Sequence, residues 1–349
     1  MRIRRTLPIL FIVVLIVAAV ILAVQLRKHA PPEAARLLPG GDAFGYVNLG
    51  WVRRANSGKE MPPVSHDPEY ERFIQQTGFQ FERDLDEAAF AVHYPGNWAG
   101  GGTGGVAPEP RFSEVLVGRF RSQRLTAYLR QIAQAVENYQ SVDIFTVRVE
   151  GRSLRVAVLS PDSVAASNHD DPAVIRGIID RSRRLASPFG GPALLRQYYK
   201  HVQFASLAWV VARVEPATPD SGSLSALFTA PATLVVSGSL LSPLHLNLRG
   251  AVHLRAEAFT GNPDEARALI DKVNVFVALT HSAEASVGMH GTDPDVKAFF
   301  ESIQAKQEGD RAVLNAGLPP GFLRKMLAGS GAELGEPDAS SPQTPAKSQ

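Results

Sequence analysis

Apolar positions along the chain follow three patterns. Residues 7–26, LPILFIVVLIVAAVILAVQL, form an unbroken uncharged run. At the rise of an α-helix this run matches the hydrocarbon thickness of a bilayer, so it predicts a transmembrane helix. Elsewhere apolar residues recur at three- and four-residue spacing, as in helices with one buried face. PEYERFIQQT from Pro68 groups Tyr70, Phe73 and Ile74 and stops before Gly78. Residues 122–138 line up Leu125, Tyr128, Leu129, Ile132 and Val136, and a helix from Pro172 buries Ile175, Ile178 and Ile179. Asp67-Pro68, Asp171-Pro172, Asn262-Pro263 and Asp293-Pro294 each put a capping side chain before a proline suited to the first helical position. Glu265 follows Asn262 at capping-box spacing.

The third pattern is alternation. In LHLNLRGAVHL, Leu244, Leu246, Leu248, Val252 and Leu254 point one way, and His245, Asn247, Arg249, Ala251 and His253 the other. That predicts a strand with one dry and one wet face, as in antiparallel sheets. IFTVRVEGRSLRVAVLS alternates on both sides of Gly151 and reads as a hairpin. A similar stretch around Gly309 suggests an internal repeat, with strand and helix before each hairpin. PEYERFIQQTG and PALLRQYYKHV are predicted helices that each precede a strand, AAFAVHY and FASLAWVVARV. The expected class is α+β: an N-terminal transmembrane helix, then an ectodomain of mainly antiparallel sheet with packed helices in two pseudo-repeated halves. The expected division is 1–6 cytoplasmic, 7–26 spanning, 27–38 a juxtamembrane linker, 39–187 and 188–328 the two halves, and 329–349 a disordered tail poor in large apolar residues.

Composition sharpens this picture in two places. Arg2, Arg4 and Arg5 precede the apolar run, and Arg27 and Lys28 follow it. This bias favours a cytoplasmic N-terminus, with residues from about 30 onward outside. The run is longer than the apolar core of a cleaved signal peptide and lacks a small-residue cleavage pattern, so an uncleaved signal-anchor is expected. The chain of 349 residues contains no cysteine, which removes disulfides, thiolate catalysis and thiolate metal ligation. A formal net charge of +2 exerts no strong pull toward nucleic acid.

The start of the ectodomain, LLPGGDAFGYVNLGWVRRA, the stretch PEYERFIQQTGFQFERDLDEAAFAVHYP and the late LPPGFLRKML resemble a class of bacterial single-pass membrane-anchored ectodomain proteins of unknown function. The resemblance implies an envelope protein with an α+β ectodomain and brings no catalytic residue with it.

Candidate chemistry is sparse. Gly100, Gly102 and Gly105 satisfy G-x-G-x-x-G, but VAPEPRF and a predicted strand follow where a dinucleotide site needs a helix. The stretch is therefore expected to be a strand-to-strand loop, with Trp98 at its tip a possible partner anchor. His245 and His253 are too far apart along a strand to share an ion, and His281 and His290 flank a helix end. The Asp residues of His66-Asp67 and His169-Asp170-Asp171 are read as helix caps. Asp84-Leu85-Asp86-Glu87 is read as a solvated acidic turn, and no nucleophile elbow occurs. Arg176, Arg181, Arg183 and Arg184 cluster on one predicted helix, and Arg176, Arg183 and Arg184 could meet an anionic envelope polymer. No catalytic, cofactor-binding or metal-binding residue is predicted. The leading expectation is a non-enzymatic binding or scaffolding ectodomain in the envelope. A carrier or sensor of an apolar small molecule and a hydrolase without a recognisable motif are the alternatives.

Overall fold

The computed structural model describes residues 30–55, 66–94, 109–149, 151–183, 190–216, 224–240, 252–286 and 294–321. The predicted span 7–26, the Gly-rich stretch with Trp98, Arg184 and the tail 329–349 lie outside these residues. No helix among the described residues is long and apolar enough to cross a membrane.

Among the described residues the chain builds a mixed structure of helices and one open antiparallel sheet of 12 strands. β1 (Ala43–Asn48), β2 (Leu85–His93) and β3 (Arg111–Gly118) run outward as a meander from the middle of the sheet. β4 (Ala135–Tyr139), β5 (Val142–Val149), β6 (Arg152–Ser160) and β7 (Ser163–Ser167) return from that edge, so that β7 pairs with β3. The second half repeats the plan. β8 (Ser206–Val214), β9 (Ala232–Ser239) and β10 (Val252–Phe259) run outward, and β11 (Gln304–Glu308) and β12 (Arg311–Leu318) return to pair with β10. The halves share one sheet, because β1 pairs antiparallel with β8.

Both repeat hairpins turn on a left-handed glycine, Gly151 at φ +79° and Gly309 at φ +65°. Their places in the sheet differ by one strand. The Gly309 turn joins β11 to β12, beside β10, whereas the Gly151 turn joins β5 to β6 and it is β7 that lies beside β3. Alternation around a positive-φ glycine specifies a hairpin but not its neighbour, so the sequence alignment of the two is corrected by one strand.

Three of the four capping signals fold as written; Asp293 lies outside the described residues. In α3 (Pro68–Thr77), Asp67 Oδ1 accepts from the N–H groups of Glu69 and Tyr70 at 2.8 and 2.7 Å, Gly78 closes the helix at φ +70°, and the short α4 (Phe81–Asp84) follows. Asp171 Oδ1 accepts from the Ala173 N–H at the head of α6 (Ala173–Arg183). At α8 (Pro263–Ser286), Asn262 Oδ1 accepts from the Glu265 N–H, and Glu265 reaches back to the N–H of Gly261. α9 (Pro294–Glu301) then leads into β11.

Two sequence expectations are corrected. The helix expected over 122–138 ends at Ile132 (α5, Ser122–Ile132). Gln134 donates its N–H to Thr146 O, and residues 135–139 become edge strand β4, with Val136 47% exposed. A helical stripe and an edge strand compete for the same residues there, and the free edge of β5 decides. The supposed linker 27–38 contains a buried helix, α1 (Glu33–Leu37). Its Ala34, Ala35, Leu37 and the following Leu38 lie in the main core against Phe44, Ile175, Ile178 and Leu195. Arg181 Nε donates to Leu37 O at 2.7 Å and ties α1 to α6. Of the wet face expected for LHLNLRGAVHL only His253 falls among the described residues, and β10 runs on past it to a buried carboxylate. Glu257 is 2% exposed and held by Arg255 Nε at 2.7 Å, Arg311 Nη1 at 3.1 Å and His201 at 3.4 Å. Such burial needs opposed charge, and Arg311 arrives from β12, beyond the reach of local alternation.

One face of the sheet is covered by α1, α6 and α7 (Ala193–Tyr198), which enclose the main core. The other face carries two smaller cores. α5 covers Phe145, Val156 and Val164, and α8 covers Ala258 and Ala312. Leu38 tests the reassignment of residues 33–38 to the fold. Leu38→Ala is expected to lower unfolding free energy by roughly 2–5 kcal/mol in chemical denaturation, as for buried leucines. In a solvated linker the change would stay within about 0.5 kcal/mol.

Candidate ligand pocket

At the β1–β8 seam the pairing places Tyr46 directly opposite Trp209. The two rings stack at 5.6 Å with an interplanar angle of 17°, and Tyr199 meets Trp209 edge-on at 5.3 Å. β1 runs straight into α2 (Leu49–Ala55), which carries Trp51. The strap from Tyr199 to Ala205 closes the other side before β8 begins. Ser206 Oγ donates to Gln203 O at 2.6 Å, and Ser239 Oγ donates to Phe204 O at 3.2 Å. Ala205 sits at φ +55°, a left-handed geometry that costs a non-glycine residue of order 1 kcal/mol. The β8–β9 register shifts between Ser206 and Ala208, a bulge of the kind that re-aims side chains beside a site. Together these elements enclose a cavity of about 280 Å³.

The walls are neutral and aromatic. Burial drives the Tyr46 hydroxyl far above its ordinary range and pushes that of Tyr199 up to about 12. Behind Tyr46, Glu87 accepts from its hydroxyl, and burial raises the Glu87 carboxyl above its usual value. Trp209 is only 2% exposed, yet its Nε1–H has no hydrogen-bond partner, and neither has the buried Oε1 of Gln203. Each buried unpaired group costs about 1–3 kcal/mol. Both residues line the same cavity. One donor and one acceptor within an aromatic slot suit a small molecule with an apolar or ring body and a polar end.

A second, more open cleft of about 430 Å³ lies at the opposite sheet edge, among Gly40–Asp42, His93, Tyr94, residues 192–194 and Arg213. His93 Nε2 lies 3.0 Å from Ser113 Oγ, and the imidazole also bonds the Gly40 backbone. This is the nearest approach to a hydrolase pair. Ser113 is fully buried and its hydroxyl is shared with Ser167 at 2.9 Å, so no substrate carbonyl can reach it here. Burial and the neighbouring His169 lower the His93 pKa and favour neutral imidazole.

The sequence candidates are scattered rather than gathered. Arg176 pairs with Glu137 at 2.7 Å and lies over the Tyr139 ring. Arg183 donates to Gln140 O at 3.3 Å. Both clasp α6 to β4 and its turn. Trp98 and Arg184 fall outside the described residues. Residues 84–87 are no solvated turn. Asp84 accepts from the Gln80 N–H and pairs with Arg83 at 2.6 Å and Arg119 at 3.4 Å, which hold its carboxyl below the usual range. Asp86 pairs with Arg53. Glu87 sits behind the pocket. Alternation alone put Trp209 inside a strand; its partner Tyr46 lies in the other half, and only the seam brings them together.

No family model and no curated protein matches the chain. Among solved structures it is similar to three crystal forms of TP0453. Form IV is 9% identical, with 85% of this chain and 97% of that chain covered. Form I is 10% identical, with 86% and 98% covered. Form III is 8% identical, with 86% and 99% covered. Each superposes with a TM-score of 0.42, too loose to carry a functional conclusion.

Glu87 gives the pocket a pH signature. A carboxyl raised in the fold binds more protons folded than unfolded, so its contribution falls as pH climbs through the folded pKa. In Glu87→Gln this component is expected to vanish. The variant should gain stability relative to wild type at pH 7–8, and the difference should close near pH 4. Thermal unfolding across that range reads it out.

Proposed function

We propose that this chain is a single-pass membrane-anchored protein of the cell envelope, held by residues 7–26, whose extracytoplasmic domain binds a small amphipathic molecule in the seam pocket without transforming it. The observation that carries the reading is the pair of buried, unpartnered polar atoms, Trp209 Nε1 and Gln203 Oε1, in one aromatic-walled cavity. A fold that leaves such groups unpaired in a preformed cavity gains when a ligand supplies the missing partners. The uncharged run and its basic flanks support the anchor and its orientation. A purely scaffolding role through the arginine face has less support, because Arg176 and Arg183 already engage Glu137 and Gln140.

Two measurements test the two parts. Full-length protein extracted from native membranes in mild detergent should carry a co-purifying small molecule detectable by native mass spectrometry. Trp209→Phe, which keeps the ring but removes the donor, should reduce its occupancy by about tenfold, one lost hydrogen bond's worth. Val202→Trp, which fills the cavity, should abolish it. Equal occupancy in all three proteins would overturn the pocket reading. For topology, a reporter fused after Gln349 should be active only outside the cytoplasm, and cytoplasmic activity would overturn the placement.

A further inference from the structure

The strand directions sort the exposed apolar residues. β1 ends, and β8 begins, at the same edge of the sheet, and α2 with Trp51 and the strap with Phe204 lie there. α8 starts at the opposite edge, where Thr260 donates to Asp310 O in the β11–β12 turn and Gln307 donates to Pro263 O. Between its start and Ser302 the chain returns to the pocket edge through α8, residues 287–293 and α9, and there Ser302 Oγ exchanges hydrogen bonds with Gly317. Leu279 therefore lies about 24 Å along α8 from Pro263, close to the full height of β10 at about 27 Å.

Among the described residues, five large apolar side chains are at least half exposed: Trp51 at 50%, Phe204 at 61%, Val275 at 59%, Phe276 at 57% and Leu279 at 62%. All five belong to the elements that meet at the pocket edge or run down to it. The stretch of α8 that bears three of them, VNVFVALT, contains no charge.

Pro32, which lines the pocket, is also where the chain arrives from the apolar run. Residues 27–31 can span at most about 18 Å when fully extended. Pro32 sits at the pocket edge, so the tether brings that edge, rather than the opposite one, nearest the bilayer.

We propose that the pocket edge is a membrane-docking surface, with Trp51 and Phe204 at the headgroup level and the Val275–Leu279 segment of α8 lying in the interface. Aromatic side chains favour that depth, and an uncharged apolar helix face there gains from burial in the acyl boundary. The pocket mouth then opens at the bilayer surface, and its ligand enters from the lipid phase rather than from bulk water. This inference rests on the anchor of the proposed function and not on its ligand.

The absence of native cysteine makes a direct test possible. Single-cysteine variants Phe204→Cys, Leu279→Cys, Asp310→Cys and Val14→Cys of the full chain carry a nitroxide in phosphatidylcholine–phosphatidylglycerol vesicles. Oxygen and a water-soluble nickel complex then report the depth of each label. Docking predicts lipid-side accessibility at 204 and 279, matching the direction of 14, and water-side accessibility at 310. Adding Phe276→Glu to the label at 204 should shift that label toward water while leaving thermal unfolding unchanged, since Phe276 is mostly exposed. Water-side labels at 204 and 279 with a lipid-side label at 14 would overturn docking and leave the anchor standing. A water-side label at 14 would overturn both. Spin–spin broadening at 279 without lipid contact would mark the face as an interface between two copies and overturn the lipid assignment.

Discussion

Everything in this structure depends on one antiparallel joint, the pairing of Ala43–Val47 with Ala208–Ala212. Without it the chain would be two smaller sheets, each with a bare edge of unpaired N–H and C=O groups. With it, Phe44 and Tyr46 from one half and Trp209 and Val211 from the other fall on the same face and into one core. Tyr46 and Trp209 occupy the seam, and the cavity lies beside them, bounded by Trp51 and the strap.

Two devices hold the seam in place from the covered face. α1 inserts Ala34, Ala35, Leu37 and Leu38 into the core, and its C-terminal carbonyl is caught by Arg181. Burial lowers the Arg181 pKa below its ordinary value, so the guanidinium is desolvated to reach that carbonyl. α6, which presents Arg181, is itself fastened to the outer strands through the Arg176–Glu137 pair. Arg176 and Arg181 thus form a chain of ties from the sheet's outer strands to its centre.

Much of the fold was legible in the sequence because it is locally encoded. Asp67, Asp171 and Asn262 each bond the backbone within three residues, so capping could be read one segment at a time. Gly78, Gly151 and Gly309 take the left-handed conformations their positions require. The pocket was not legible, for the converse reason. Tyr46 and Trp209 each sit in an ordinary alternating strand, and nothing near either one reports the other. Glu87 and Asp84 were misread in the same way. Tyr46 and Arg119 reach them from other segments, and a carboxylate with a distant partner looks solvated in one dimension.

The same nonlocality bears on the chemistry. A catalytic site declares itself by exposed, mutually bonded donors and acceptors; the nearest such pair, His93 with Ser113, is sealed by the sheet and shared with Ser167. The seam pocket is the reverse: open, aromatic and deliberately incomplete, with tyrosines that burial keeps protonated and two polar atoms left without partners. Groups that stay neutral and unpaired have little to offer a developing charge, but they offer much to a ligand that arrives with its own donor and acceptor. The cavity lies at the end of the sheet from which the chain leads back to its apolar run, and the proposed capture of an amphipathic ligand rests on that placement.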